Sequence, residues 1–330
     1  INGANFTAGT FFTLPSGARL KMNANGTFDY DPNGQFDDLG LNQTGSDSFT
    51  YTIDDGRGQA NSTATATVTV TIGGSNDPPT ATNDAFSTDE NSAIVGASVL
   101  ADNGSGPDSD LDESDTLSVT KINGADFTAG TPFALPSGAR LTMNANGSFD
   151  YDPHGQFESL SLGQTATDIF TYTIDDGRGQ ANITATATLT ITINGLNDQP
   201  TAVNDAVATA GDSVLVGASV LADNGAGPDS DPDADDTLSV SRINGATFTS
   251  GRAFALPSGA LLTMNSGGTF DYDPNGQFDD LGLDQTASDS FTYTIDDGRG
   301  QANSTATATV TVTIGGSNDP PTATNDAFST

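Results

Sequence analysis

Apolar and polar residues alternate strictly along several stretches of this chain. In segment 181–193, ANITATATLTITI, apolar residues occupy every second position and threonines fill most of the positions between them. Segment 168–175, DIFTYTID, alternates in the same way. A period of two built from β-branched and aromatic residues is typical of strands that bury one face. The pattern therefore predicts two half-buried β-strands here.

Short turn sequences separate the alternating stretches and predict antiparallel hairpins. The two strands above flank DDGRGQ, whose Asp176-Gly177 suits a tight turn, and segment 140–152 turns at Asn146-Gly147. Further strands are predicted at 116–122 and, as one or two short strands, within 92–102. No segment shows a convincing helical period. About seven short strands per unit, polar on one face, predict an all-β fold, an antiparallel β-sandwich.

The same sequence unit recurs every 121 residues. INGANFTAG at 1–9 returns as INGADFTAG at 122–130 and INGATFTSG at 243–251, without insertions. A period of this length indicates a whole domain rather than one rung of a solenoid. Pro-rich junctions predict the boundaries. They give a partial repeat one at 1–76, complete repeats two and three at 77–197 and 198–318, and the start of a further repeat at 319–330. The chain is expected to be a window from a longer linear array.

The composition is strongly acidic, and the acid is almost entirely aspartate. The chain has 43 acidic and 9 basic residues, a net charge of −34, and its glutamates are Glu90, Glu113 and Glu158. Such a charge disfavours nucleic acid and anionic membrane surfaces as partners. No apolar run approaches the roughly 20 residues that a membrane helix needs. The absence of cysteine excludes disulfides and thiolate chemistry.

Aspartates concentrate in one loop of each complete repeat, GPDSDLDESDTLSV at 106–119 and GPDSDPDADDTLSV at 227–240. Two carboxylates 5 Å apart repel by roughly 3 kcal/mol at an effective dielectric of 20, and Ca²⁺ accepts about six to eight oxygen ligands. The aspartates that keep their spacing are candidate calcium ligands: Asp108, Asp110, Asp112 and Asp115, and their counterparts Asp229, Asp231, Asp233 and Asp236. Glu113 becomes Ala234 and is a weak candidate. A merely solvated acidic loop is the alternative.

Several features of repeat two, taken in order, resemble the bacterial cadherin-like repeats, including VCBS-type repeats. They are the junction SNDPPTATNDA, the acidic loop, the hairpin NANGSFDYDP and the hairpin DIFTYTIDDGRG. The resemblance covers essentially the whole chain. It implies tandem Ig/cadherin-like sandwich domains, calcium binding, type I export to the bacterial cell surface, and a role in attachment or biofilm. It implies no enzymatic activity.

The resemblance also implies that junction residues share calcium with neighbouring loops. The candidates are Asn76, Asp77, Asn197 and Asp198, with Asn318 and Asp319 at the following junction. The hairpin pairs Asp54-Asp55, Asp175-Asp176 and Asp296-Asp297 could reach the same end of the domain. Plain turn formation is the alternative for all of them, because Asn and Asp side chains cap turns.

Three other residue types are candidates for chemistry. Glu90 looks like a cadherin-type ligand, but its counterpart is Gly211, so it cannot be required in every repeat. The arginines Arg57, Arg178 and Arg299 could orient a carboxylate or grip a ligand, although a surface ion pair is the expected role. The single histidine, His154, has asparagine counterparts, which argues against a triad base or a repeated zinc site.

Two classes of function fit these features. The first is structural: repeats that act as spacers in a secreted extracellular adhesin or fibre, in which calcium neutralises the aspartates and stiffens the junctions. Lateral or end-to-end self-association into a filament or surface layer stays open within this class. The second is a glycan-binding module, which is disfavoured because the chain has no tryptophan and its aromatics fall on inward strand positions.

Overall fold

The computed structural model describes residues 1–180, 183–318, 320–321 and 323–327, and the regular structure of these residues is entirely β. Repeat one contains β1 (Phe11–Thr13), β2 (Arg19–Met22), β3 (Phe28–Asp31), β4 (Thr44–Asp54) and β5 (Thr63–Gly73). Repeat two contains β6 (Asp84–Asp89), β7 (Ile94–Ser98), β8 (Ser118–Ile122), β9 (Ala125–Asp126), β10 (Phe133–Ala134), β11 (Arg140–Met143), β12 (Ser148–Asp152), β13 (Thr165–Asp175) and β14 (Thr184–Asn194). Repeat three contains β15 (Asp205–Ala210), β16 (Leu215–Ser219), β17 (Ser239–Ile243), β18 (Ala253–Ala255), β19 (Leu261–Met264), β20 (Thr269–Asp273), β21 (Thr286–Asp296) and β22 (Thr305–Gly315).

Each complete repeat forms two sheets. In repeat two the strand orders are β6-β14-β13-β8-β9 and β10-β11-β12-β7, and in repeat three they are β15-β22-β21-β17 and β16-β20-β19-β18. Repeat one has the smaller sheets β1-β2-β3 and β4-β5. The predicted β-sandwich is confirmed, with one difference. Strand β15 pairs with β22 in parallel, Asp205 beside Val310, which is possible because the rest of the repeat lies between the two strands in sequence.

The alternation seen in the sequence produces the core. In β13, Phe170, Tyr172 and Ile174 are at most 2% exposed, whereas the threonines between them lie at the more exposed positions. Strand β21 repeats the pattern with Phe291, Tyr293 and Ile295. The apolar side chains of each strand all lie on the same face of the sheet. Packing of that face against the second sheet removes them from water, which stabilises the sandwich.

The chain divides into two compact units. The first comprises residues 1–88, 92–154 and 167–193, and the second comprises 89–91, 155–166 and 194–330. The junction between repeats one and two therefore lies inside the first unit. The junction between repeats two and three lies inside the second unit.

Candidate metal centres at the repeat junctions

Three segments meet at the junction in the first unit: the junction peptide, the acidic loop that precedes β8, and the loop that follows β13. The Asn76 side-chain amide donates to Asp176 Oδ2 at 2.9 Å. The backbone N–H of Asp77 donates to Asp112 Oδ2, also at 2.9 Å. These two hydrogen bonds bring residues distant in sequence to one point.

A cluster of carboxylates forms where the segments meet. Oxygens of Asp110, Asp115 and Asp176 all lie within 4.8 Å of one another, and Asp112 beside them is only 1% exposed. Asp110, Asp112 and Asp115 each commit one oxygen to protein donors, as when Asp110 Oδ1 accepts from the Asp112 N–H at 2.9 Å. The other oxygens are buried without a hydrogen-bond partner: Asp110 Oδ2, Asp112 Oδ1, Asp115 Oδ2 and, from the junction, Asn76 Oδ1.

The junction in the second unit repeats this arrangement. The Asn197 amide donates to Asp297 Oδ2 at 3.0 Å, and the Asp198 N–H donates to Asp233 Oδ2 at 3.0 Å. Oxygens of Asp231, Asp233 and Asp236 lie within 4.8 Å of one another. The buried unpartnered oxygens are the counterparts, 121 residues on, of those in the first unit: Asn197 Oδ1, Asp231 Oδ2, Asp233 Oδ1 and Asp236 Oδ2.

These oxygens create an electrostatic demand. A buried acceptor without a donor loses about 1–3 kcal/mol of solvation, and more when it is charged. Burial raises the pKa of Asp110, against the hydrogen bond from Asp112 that lowers it, and the carboxylates of Asp112 and Asp115 raise it further. The pKa of Asp231 is raised in the same way. A cation at the centre of each cluster would satisfy this demand.

The donor set matches a hard cation. The four unpartnered atoms of each cluster are carboxylate or amide oxygens, which are ligands that Ca²⁺ takes, and among the described residues no histidine or cysteine belongs to either cluster. The structure thus brings together four of the candidate residues at the first junction, Asn76, Asp110, Asp112 and Asp115, and their counterparts at the second. Asp176 joins the first cluster from the hairpin loop.

The structure does not bring Asp108 and Asp229 into these clusters. Asp108 turns inward, where it accepts from the Thr82 N–H at 2.7 Å and lies 3.0 Å from the Tyr172 hydroxyl. Asp229 makes the equivalent contacts with Val203 and Tyr293. Both carboxylates are held by hydrogen bonds from protein groups, and both therefore connect the acidic loop to the buried face of the sheet. Asp319, the junction candidate after repeat three, lies outside the described residues.

The second junction contains additional acids beside its cluster. Glu90 Oε1 accepts from the Leu196 N–H at 2.7 Å, while Glu90 Oε2 and Asp198 Oδ2 are buried without partners. Burial, opposed by the hydrogen bond from the Leu196 N–H, acts together with the charges of Asp198, Glu158 and Asp233 to raise the pKa of Glu90 to about 7. Because Gly211 replaces Glu90 in repeat three, the sequence predicts only that Glu90 is not required in every repeat. Glu90 instead belongs to a feature of this particular junction.

Glu158 was missed as a candidate, although the sequence carried a signal for it. Its counterpart in repeat one is Asp37, so an acid is kept at this position while its identity changes. At the first junction, burial raises the pKa of Asp77, followed by the charges of Asp112 and Asp37. Three positions are thus acidic at both junctions: Asp37 and Glu158, Asp77 and Asp198, and Asp112 and Asp233.

Two arginines of the DDGRG loops, Arg178 and Arg299, lie beside the clusters rather than in simple surface pairs. Arg178 Nε donates to Asp115 Oδ1 at 2.6 Å, and its side chain is 30% exposed whereas that of Asp115 is 0% exposed. Arg299 pairs with Asp236 in the same manner. The expected pairing of two exposed side chains is therefore not what the structure contains.

Comparison with known proteins explains why this geometry occurs twice. The model of the bacterial cadherin-like domain matches residues 2–73, 76–195 and 197–315. The chain belongs to the bacterial cadherin-like domain family. Its cadherin-like repeats are extracellular modules of an adhesion type with a structural role. Such domains are typically not enzymes, and they generally bind calcium, with which the acidic clusters are compatible.

Solved structures of cadherin ectodomains are similar in fold. Domains EC1-3 of mouse protocadherin-24 are 17% identical, with 92% of this chain and 88% of that chain covered and a TM-score of 0.41. Domains EC1-3 of mouse PcdhgC3 are 12% identical, with coverages of 90% and 85% and a TM-score of 0.43. Drosophila N-cadherin EC1-4 is 13% identical, with coverages of 89% and 64% and a TM-score of 0.31. Among curated proteins no relative matches this chain.

A membrane-spanning helix is not found among the described residues.

Proposed function

We propose that this chain is a segment of calcium-stiffened spacer repeats in a secreted bacterial surface adhesin or extracellular fibre, with a role in attachment and biofilm formation. The repeats on this proposal are the domains 77–197 and 198–318, preceded by the partial domain 1–76 and followed by a further domain beginning at 319. The supporting observation is that the same four buried oxygens lack a partner at both junctions.

On this proposal, the residues that hold the cation at each junction come from three different segments. Asn76 reaches from the junction peptide, Asp110 and Asp112 from the acidic loop, and Asp176 from the loop after β13. Since these segments belong to different parts of the chain, a shared ion ties them together. When bound, Ca²⁺ supplies positive charge and several oxygen contacts, which removes the repulsion among the carboxylates.

Asp112 and Asp233 have a special place in this proposal. Each accepts a hydrogen bond from the backbone N–H at the start of its own domain, Asp77 or Asp198, and keeps its second oxygen for the ion. The ion, the acidic loop and the domain linker are therefore coupled through one carboxylate. We infer that ion binding restricts the linker, and that Glu90 and Asp198 add a second cation position at the second junction.

Substitution of this carboxylate tests the proposal. Asp112→Asn keeps the acceptor for the Asp77 N–H but removes one charge from the cluster, so we expect calcium affinity at the first junction to fall by about tenfold or more. Glu113→Gln is the matched control, because this substitution removes the same charge from the same loop at an exposed side chain. Isothermal titration and thermal unfolding, each with and without a chelator, measure the effect.

The two variants separate specific binding from general charge. A selective loss of affinity in Asp112→Asn supports the proposal. Equal calcium affinities in both variants would reject it. So would a parent protein whose melting temperature and scattering profile do not change when calcium is added.

A further inference from the structure

We propose that Arg178 and Arg299 are positioning residues of the two junction clusters. Each is a permanent cation that holds an aspartate of the acidic loop in its ligating orientation before any metal ion arrives. The inference deepens the proposed calcium function, although its central claim concerns the metal-free protein.

The contacts of Arg178 fix the end of the acidic loop. Its Nε donates to Asp115 Oδ1 at 2.6 Å, and its terminal nitrogen donates to the Ser114 hydroxyl at 2.6 Å. A salt bridge from the same terminal nitrogen also reaches Asp115 Oδ1. Both contacts with Asp115 use its Oδ1, and its other oxygen, Oδ2, remains buried and unpartnered in the cluster with Asp110 and Asp176.

The backbone of the arginine is anchored to the same cluster. The Arg178 N–H donates to Asp176 Oδ1 at 2.9 Å, while Asp176 Oδ2 accepts from Asn76. The loop after β13 thus provides both an acid of the cluster and the cation beside it. A planar guanidinium holds a carboxylate in a fixed direction, which the flexible ammonium of a lysine does not.

The second junction contains the same device with one change. Arg299 Nε donates to Asp236 Oδ1 at 2.7 Å, its backbone N–H donates to Asp297 Oδ1 at 2.7 Å, and Asp236 Oδ2 is left unpartnered. Ser114 is replaced by Asp235, whose carboxylate accepts from Gln164 instead. The grip on the last aspartate is therefore kept although its neighbour differs.

A matched control exists in repeat one. Arg57 occupies the same place in DDGRG, and its backbone N–H bonds Asp55 Oδ1 at 2.9 Å. Among the described residues, however, its side chain makes no ion pair. Loss of Arg57 should therefore leave both clusters intact.

The consequence concerns the state without calcium. Mutual repulsion alone would spread the aspartates of the loop, yet one of them is neutralised and fixed by an arginine in each cluster. We therefore expect the loop segment 108–117 to keep part of its order in a chelator. A metal ion would then enter a site in which one ligand is already placed.

Hydrogen exchange of the full chain in chelator tests this inference. In Arg178→Gln the amide hydrogens of 108–117 should exchange roughly tenfold faster or more than in the parent, because a charge-assisted pair is lost. In Arg57→Gln their exchange rates should equal those of the parent. Arg178→Lys should recover part of the protection, since it restores the charge without the planar geometry. Parent-like exchange in Arg178→Gln, or equal loss in Arg57→Gln, overturns the inference.

A calcium titration separates this inference from the proposed function. With calcium binding intact in the parent, Arg178→Gln should weaken affinity by roughly tenfold at unchanged stoichiometry, and Arg178→Lys should weaken it less. Unchanged affinity in Arg178→Gln contradicts the positioning role. If the parent ignores calcium while Arg178→Gln still loses protection in chelator, the calcium function fails and the role of the arginine in the metal-free loop stands.

Discussion

At the residue scale, neighbouring aspartates of one loop have different environments. Asp108 contacts Tyr172 inside the sandwich, whereas Asp110, two positions on, presents an unpartnered oxygen to the junction. The Tyr172 hydroxyl lies 2.8 Å from Asp84 Oδ2 as well as 3.0 Å from Asp108 Oδ2. One phenolic proton can satisfy only one of these carboxylates at a time. Burial accordingly raises the pKa of Asp84, against the hydrogen bonds from Asn103 and Tyr172.

Removal of this hydroxyl should be costly in a complete repeat. Tyr172→Phe leaves two buried carboxylates without their shared donor, so we expect a loss of about 1–3 kcal/mol in the free energy of unfolding. Tyr51→Phe is the control, because Tyr51 is the counterpart in repeat one and its hydroxyl has no hydrogen bond among the described residues. Urea denaturation followed by circular dichroism compares them. Equal shifts in both variants would contradict the role of the hydroxyl.

Glu90 predicts a pH dependence of the metal-free protein. Its pKa is raised from 4.5 to about 7, first by burial, so the folded state favours the protonated carboxyl. The resulting stabilisation is full below about pH 4.5 and is lost as the pH rises through about 7. The melting temperature in chelator should therefore fall between about pH 5 and pH 8. Glu90→Gln should flatten this slope, and an unchanged slope would show that other carboxyls cause it.

At the element scale, the hairpins were readily predicted because their signals are local. The β11–β12 turn falls at Asn146-Gly147 as predicted, with Gly147 at φ +79°. The β13–β14 connection is wider than a two-residue turn, since Asp176 N–H bonds Ile183 O. Its extra length lets Asp176 and Arg178 reach the acidic loop. That contact joins residues far apart in sequence, so no local pattern could predict it.

Gly147 offers a test of packing at the first of these hairpins. A Cβ at Gly147 would lie 2.4 Å from Leu100 Cγ, whereas at Gly26, in the matching turn of repeat one with φ +86°, it would meet nothing within 4 Å. Both alanine variants carry the strain of a positive φ, about 1–2 kcal/mol. Gly147→Ala should lose roughly 1–3 kcal/mol more than Gly26→Ala because of overpacking. Equal losses in urea denaturation would show that Leu100 moves aside freely.

At the scale of the whole molecule, the net charge of −34 opposes compaction. Part of this repulsion is diffuse, and simple salt screens it with a Debye length of about 10 Å at 0.1 M. The rest is concentrated in the junction clusters, where buried carboxylates are screened much less. The two parts should respond differently to different ions.

We therefore expect calcium chloride to raise the melting temperature more than sodium chloride at equal ionic strength. Sodium chloride should act alike on the parent and on a variant with both Asp112→Asn and Asp233→Asn, since it screens both equally. The additional gain from calcium should be reduced in that variant. Differential scanning calorimetry measures both, and identical responses to the two salts would mean that only screening is involved.

The sequence by itself determined the β-sandwich, the repeat period and the oxygen-rich character of the junctions, because alternation, turn residues and composition act locally. Tertiary structure decided which acids meet. It separated Asp108 from Asp110 and brought Asp176 into the first cluster. It also placed Glu90 at the second junction and Arg178 against Asp115. These outcomes depend on how loops distant in sequence converge at the end of a sandwich. Burial there leaves an ordinary aspartate with an oxygen that no protein donor satisfies.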